Sequence, residues 1–256
     1  MIRFLIHTMI ASMIFFPTKE HSMKPEVFGL HAEDVWCITK DNVKLHGWFL
    51  PAKNQDICLL LFHGNADNIS IRLPKANEWV KRGISVLLID YRGYGKSEGE
   101  INSSRDLFED AEAALEWLGQ TKNFKPERIV LYGESIGAVP VLELAQKADF
   151  KSIILEAPFT SLKELAKVHY GFAPDILLKD FEMNNEAKIS KIKSPVLIVH
   201  GTEDEVVPLA MGKRLFEQAP EPKKFLEIQS AHHNDIASVG NDKFYREPFE
   251  FATQSK

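Results

Sequence analysis

Serine, aspartate and histidine occur along this chain in an order that could run acyl transfer. Ser135 stands in Gly133-Glu134-Ser135-Ile136-Gly137, after the apolar run RIVLY and before a helix-like pattern. A free serine hydroxyl is a weak nucleophile. It needs a base within hydrogen-bond reach, and the base needs an acid to orient it. Asp204 supplies the acid, four residues past His200 at the end of PVLIVHG, in a segment that Pro208 closes. A histidine pair, His232-His233, follows the last apolar run, KKFLEIQ. Each group thus falls just past the carboxyl end of a different strand-like run, in the order Ser, Asp, His. That order accompanies a nucleophile held on a sharp Gly-x-Ser-x-Gly turn. The developing oxyanion needs backbone donors. The amide of Ile136 follows the nucleophile directly. The amide of Asn65, in HGNADN after an early apolar run, is the second, since Gly64 lets the backbone turn in close.

These residues need a scaffold that brings several strand ends to one edge. After residue 30 the chain alternates strand-like and helix-like segments. DVWCITK (34–40) and VKLHGWFLP (43–51) flank Asp41-Asn42 and read as a hairpin. The run at 57–63 is short and continuously apolar, as a strand covered on both faces should be, and 84–90, 128–132, 152–157, 195–201 and 223–229 read as further strands. Helical spacing marks 71–83, 104–120, 136–148, 209–219 and 242–254. This alternation predicts an α/β fold with a mostly parallel sheet of about eight strands, an antiparallel hairpin at one edge and helices on both faces. In such sheets ligands bind outside the carboxyl ends of the strands, where Ser135 lies. Residues 158–194 break the rhythm and read as a small lid inserted into a single domain spanning 31–256, with 1–30 as a separate N-terminal segment.

With 256 residues, 45% hydrophobic and 26% charged, the chain has the composition of an ordinary globular domain. A net charge of −5 without a basic stripe argues against a nucleic-acid partner. Cys37 and Cys58 are too few for a disulfide framework or a cysteine-based zinc site and read as buried thiols. The glycines of DYRGYGKSEG (90–99) lack the spacing of a phosphate-binding loop. Near the N-terminus an apolar stretch runs from Phe4 to Phe16, interrupted by His7, Thr8 and Ser12. It is shorter than the roughly 20 residues a spanning helix needs. The expectation is a cytoplasmic location, with residues 4–16 available for membrane contact.

LHGWFLP, LLLFHGNADN, LLIDYRGYGKSEG, LYGESIGA, VLIVHGTEDEVVP and AHHND together resemble the α/β-hydrolase superfamily over about Asp34 to Phe251. Within it the chain is similar to small-lid serine hydrolases of the α/β-hydrolase-domain depalmitoylase, or "serine aminopeptidase", type. The resemblance implies Ser135 as nucleophile and Asp204 as acid. The family's usual Gly-His-Asn-Asp reads His232-His233-Asn234-Asp235 here, which implies His233 as base and puts His232 where a glycine is usual. It also implies that Arg92 sits in a buried ion pair, while His63 is read as bracing the oxyanion loop. The expected activity is hydrolysis of a carboxylic ester or thioester on a small or acylated substrate, without metal or organic cofactor. A peptidase or amidase, an acyltransferase on the same three residues, and a non-catalytic binding protein of the same fold are the alternatives.

Overall fold

The computed structural model describes residues 10–53, 56–172 and 174–254. Eight strands form one sheet: β1 (Glu33–Ile38), β2 (Lys44–Leu50), β3 (Cys58–Phe62), β4 (Ser85–Ile89), β5 (Ile129–Glu134), β6 (Ser152–Glu156), β7 (Val196–Gly201) and β8 (Lys223–Ile228). Their order across the sheet is β1-β2-β4-β3-β5-β6-β7-β8. The expected hairpin is present: β1 pairs antiparallel with β2, with Trp36 opposite His46, and β2 pairs antiparallel with β4. All remaining pairings are parallel. The strand order reverses direction between β3 and β4, so the carboxyl ends of β3 and β5 lie side by side and open a crevice.

Both faces of the sheet are apolar because alternate residues of each central strand point to opposite sides. Leu60 and Phe62 of β3, with Leu87 and Ile89 of β4, face helices α2 (Ser104–Lys122), α3 (Ala138–Leu144) and α5 (Leu209–Gln218). Leu59 and Leu61, with Val86 and Leu88, face α1 (Leu73–Lys81) and α6 (Ile236–Gln254). In α1 the buried residues are Leu73, Ala76 and Trp79, spaced for one helical face. Ser103 caps α2 through a reciprocal capping box with Asp106. Cys37 and Cys58 are both free and buried. Burial pushes the Cys37 thiol up to about 12, so it stays protonated and packs as a small apolar group.

Between β6 and β7 the chain forms α4 (Leu162–Tyr170) and three short turns of helix. Phe159, Phe181 and Ile189 anchor this segment in the core, while Tyr170, Phe172 and Ile176 are exposed. Arg92, in the loop after β4, donates through Nε to Asp110 at 2.8 Å and also meets Asp41 and Asp106. The guanidinium is almost wholly buried, so its several carboxylate partners are what make that burial tolerable.

The expected location is corrected by the N-terminal segment. Among the described residues no helix is long and apolar enough to cross a membrane. Residues 4–9 of the apolar stretch lie outside the described residues. Of the remainder, Ile10 and Phe15 are buried against protein, while Met13 and Phe16 are half exposed. Residues 10–14 are helical, and Ile10 and Phe15 join the core, with the Phe15 ring 6.0 Å from that of Phe181. Burial of a side chain of this size contributes about 2 kcal/mol, which favours keeping it in the core. Phe16–Pro17 then pairs in parallel with Ala66–Asp67 as a small second sheet.

Candidate active site

Ser135 occupies the turn between β5 and α3. Its backbone has φ of +52°, in the left-handed region that a residue with a Cβ adopts only under strain. Ser135–Gly137 is a tight helical turn, and α3 starts at Ala138. The flanking glycines are required by close approach. A Cβ at Gly133 would collide with the backbone of Gly137, and one at Gly137 with the carbonyl of Phe62 on β3. The fold-back lifts the half-exposed serine to the crevice at the strand ends.

Asp204 and His233 come from loops after β7 and β8. His233 Nδ1 donates to Asp204 Oδ2 at 2.8 Å. The other carboxylate oxygen accepts from the amides of Val206 at 2.9 Å and Val207 at 2.7 Å. His200 Nε2 lies 3.3 Å from Oδ2 while donating to the carbonyl of Val207 at 2.9 Å. Burial alone would raise the Asp204 carboxyl. Hydrogen bonds from His200 and His233, and the Val207 amide, outweigh it and hold the group well below the usual carboxylate range. With Nδ1 committed to Asp204, the His233 ring has Nε2 left to take a proton.

Ser135 and His233 line one cavity of about 380 Å³, together with Gly64, Asn65, Glu134 and Ala157. The Gly64–Asn65 loop lies directly over the serine turn: a Cβ built on Gly64 would stand 4.0 Å from Ser135 Cβ. Ile136, whose amide follows the serine, is buried. The carbonyl of Asn65 accepts from the Phe16 amide at 2.8 Å and the Tyr94 hydroxyl at 2.7 Å. Its side-chain amide donates to the carbonyl of Ile14 at 2.9 Å. His63 is buried and donates through Nδ1 to the carbonyl of Gly64 at 2.7 Å. Burial, with the charge of Arg72, lowers its pKa to about 4, so the ring is neutral at pH 7. His232, by contrast, is exposed and meets Glu205 through Nδ1 at 2.9 Å. The structure thus brings Asp204 and His233 into contact, sets Ser135 and Asn65 around the same cavity, and leaves His232 outside it.

One part of the wall was not foreseen. Arg72 Nε donates to Glu134 at 2.9 Å, Lys75 bridges Glu134 and Glu156, and Tyr132 donates to Glu156 at 2.5 Å. Burial would raise the Glu134 carboxyl, but the charges of Lys75 and Arg72 lower it to about 2. Spacing did carry a trace of this network. Arg72 and Lys75 are three residues apart, about one turn of helix, and each directly precedes a buried position of α1, Leu73 and Ala76. Among the described residues, the cavity therefore has a charged wall beside the serine, closed by Ile71, Pro74, Ala237 and Tyr245.

Comparison with known proteins gives consistent matches. The family model described as serine aminopeptidase S33 matches residues 53–183. An uncharacterized protein of Mycobacterium tuberculosis is 38% identical over 205 residues, 79% of this chain and 72% of that protein. Alpha/beta hydrolase domain-containing protein 17B of Xenopus tropicalis is 35% identical over 209 residues, 78% of this chain and 68% of that protein. An esterase of Pyrococcus furiosus has a similar structure, with a TM-score of 0.81 at 22% identity, covering 94% of this chain and 98% of that one. At that identity the likeness concerns the fold alone.

Proposed function

This chain belongs to the serine aminopeptidase S33 family of α/β hydrolases, and from that membership we propose that it is a serine hydrolase cleaving a carboxylic ester or thioester, with Ser135, His233 and Asp204 as its triad. One observation carries the reading. The 2.8 Å bond from His233 Nδ1 to Asp204 fixes the tautomer that leaves Nε2 basic, and the same ring lines the cavity into which Ser135 opens.

In this mechanism His233 Nε2 accepts the Ser135 proton as Oγ adds to the substrate carbonyl carbon. The resulting oxyanion is held by the amides of Asn65 and Ile136. Asp204, kept ionised by the His233 Nδ1–H and the amides of Val206 and Val207, stabilises the imidazolium. His233 then returns the proton to the leaving alcohol or thiol, and the C–O or C–S bond breaks to give the acyl-enzyme. Water, deprotonated by His233, attacks the acyl carbon and regenerates Ser135. A cavity of about 380 Å³ with a partly charged wall favours a short to medium acyl chain over a long one.

The test is labelling by a fluorophosphonate probe, followed by a chain-length series of p-nitrophenyl esters and thioesters beside aminoacyl amides. Labelling of the wild type that disappears in Ser135→Ala and His233→Ala, with turnover of esters above amides, is the expected result. Turnover of the amides alone would replace this reading with the peptidase or amidase one. A folded wild type that takes no label would remove the triad assignment.

A further inference from the structure

We propose that His21 Nε2, His46 Nδ1 and Asp90 Oδ2 form a divalent-metal site of the zinc class, separate from the serine site, that ties the N-terminal segment to the sheet. These three donor atoms all lie within 4.8 Å of one another. His21 Nε2 is 2.9 Å from Asp90 Oδ2, and His46 Nδ1 is 3.8 Å from the same oxygen. A tetrahedral ion with bonds of about 2.0–2.1 Å sets its donors about 3.3 Å apart. The two separations straddle that value, and the two imidazole nitrogens, within 4.8 Å of each other, would draw together on an ion whose fourth position water fills.

The protonation pattern points the same way. His46 is fully buried, and its Nε2 donates to Asp34 Oδ1 at 2.6 Å. That bond places a proton on Nε2, so the neutral ring presents Nδ1 as a lone pair. Nδ1 has no hydrogen-bond partner and faces a carboxylate oxygen. A buried lone pair aimed at an anion is unfavourable unless a proton or a metal ion stands between them, and a metal ion would join His46 and His21 to the same carboxylate. An imidazole that binds metal through one nitrogen and donates to a carboxylate through the other is the usual outer-shell arrangement at zinc. Asp34 fills that outer position here.

Two neutral imidazoles and one carboxylate suit zinc better than magnesium or calcium, which take oxygen ligands. The charges also balance, since a dication is offset by Asp90 and, through His46, by Asp34. Binding asks only that His21 carry its proton on Nδ1 and present Nε2. Gly95 keeps the space open: a Cβ there would collide with Asp90 Oδ2 and the His21 ring. The consequence is mechanical. His21 ends a segment whose Thr18 carbonyl accepts from Gly95 and Asn68, and whose Phe16 amide holds the carbonyl of Asn65. An ion at this point would lock that strap against the loop over Ser135.

The readout is bound metal, so the outcome is independent of the hydrolase reading. Full-length protein is stripped with chelator, dialysed to equilibrium against Zn²⁺ or Co²⁺, and its metal content measured, with the Co²⁺ absorption spectrum as signature. The expected result is about one ion per chain with a tetrahedral Co²⁺ spectrum. His21→Gln keeps an amide N–H facing Asp90, and hence the fold, but should lose the ion. Asp34→Asn should weaken binding about 10-fold. His232→Ala, which alters the exposed histidine near Glu203 and Glu205, should bind like the wild type. Wild type that retains no ion above the dialysis buffer, His21→Gln that binds as tightly as wild type, or binding abolished by His232→Ala would each overturn the site.

Discussion

His233 and Asp204, 29 residues apart in sequence, are joined by a 2.8 Å hydrogen bond between Nδ1 and Oδ2 at the carboxyl edge of the sheet. Asp204→Asn replaces an acceptor by an amide that presents either an N–H or a neutral oxygen, and the ring loses its fixed tautomer. The expected fall in kcat is about 10⁴-fold. Steady-state kinetics on the best p-nitrophenyl ester check it, with KM changing far less than kcat.

The same carboxylate predicts a pH dependence of stability. Asp204 is held below its ordinary value of 3.8 in the folded chain, so the unfolded chain binds its proton more readily. Asp204 therefore adds stability above about pH 4, and that contribution is lost as the pH falls through its depressed native value. Urea midpoints measured from pH 6 down to pH 3 should drop more steeply in the wild type than in Asp204→Asn. Parallel curves would mean that the carboxyl titrates alike folded and unfolded.

Strain at the serine turn separates stability from activity. Ser135 sits at φ +52°, where a Cβ costs energy and glycine does not. Ser135→Gly should raise unfolding stability by about 1 kcal/mol and abolish ester turnover. Denaturant unfolding of the purified variant tests the first statement and the fluorophosphonate probe the second.

The charged wall makes the opposite prediction. Glu134 is the chief partner of Arg72 and shares Lys75 with Glu156, and these side chains are only 11–12% exposed. Glu134→Gln leaves two partly desolvated cations with one carboxylate between them. Loss of one member of such a network costs about 3 kcal/mol, which a shift in denaturant midpoint at pH 7 would read.

Much of this was legible before any coordinates. Short runs such as CLLLF and VLIVHG become central strands because both of their faces are covered, and their continuous apolarity records it. Ser135, Asp204 and His233 could be placed just past their strands because strand ends are local features. What failed was either marginal or long-range. The last helix was expected from 242, yet α6 begins at Ile236 and passes a non-helical Asn241 with φ of 47°, a break that hides the first turns from a periodicity count. The helix after Ser135 was expected to reach 148 but ends at Leu144. No local pattern could show that Ile14 and Phe16 would hydrogen-bond to Asn65, because that contact depends on how the N-terminal segment crosses the finished sheet. For the same reason the sequence left residues 4–16 open to membrane contact, whereas Ile10 and Phe15 pack into the core.

His232 adjoins the proposed base but lies outside the cavity, and its substitution should matter little. Its side chain is about half exposed, and its contact with Glu205 lies in water, where solvent screens such pairs. His232→Ala should keep kcat/KM within about two-fold of the wild type. A loss as deep as that of His233→Ala would exchange the roles of the two histidines.

Tyr94 offers the finest test of the oxyanion loop. Its buried hydroxyl donates to the carbonyl of Asn65 at 2.7 Å, and the Phe16 amide donates to the same oxygen at 2.8 Å. Both bonds set the orientation of the loop peptides over Ser135, yet neither touches a substrate. Removing a donor outright costs about 10²–10³-fold in kcat. Tyr94→Phe removes one of two supports and keeps the ring that packs on His63, with centroids 5.0 Å apart. The loss should therefore be well under 10²-fold and fall on kcat rather than KM, because a loop held less firmly stabilises the oxyanion poorly while ground-state binding is little changed. A rise in KM at constant kcat would show instead that Tyr94 shapes the cavity for the substrate, and would count against the Asn65 amide as a donor.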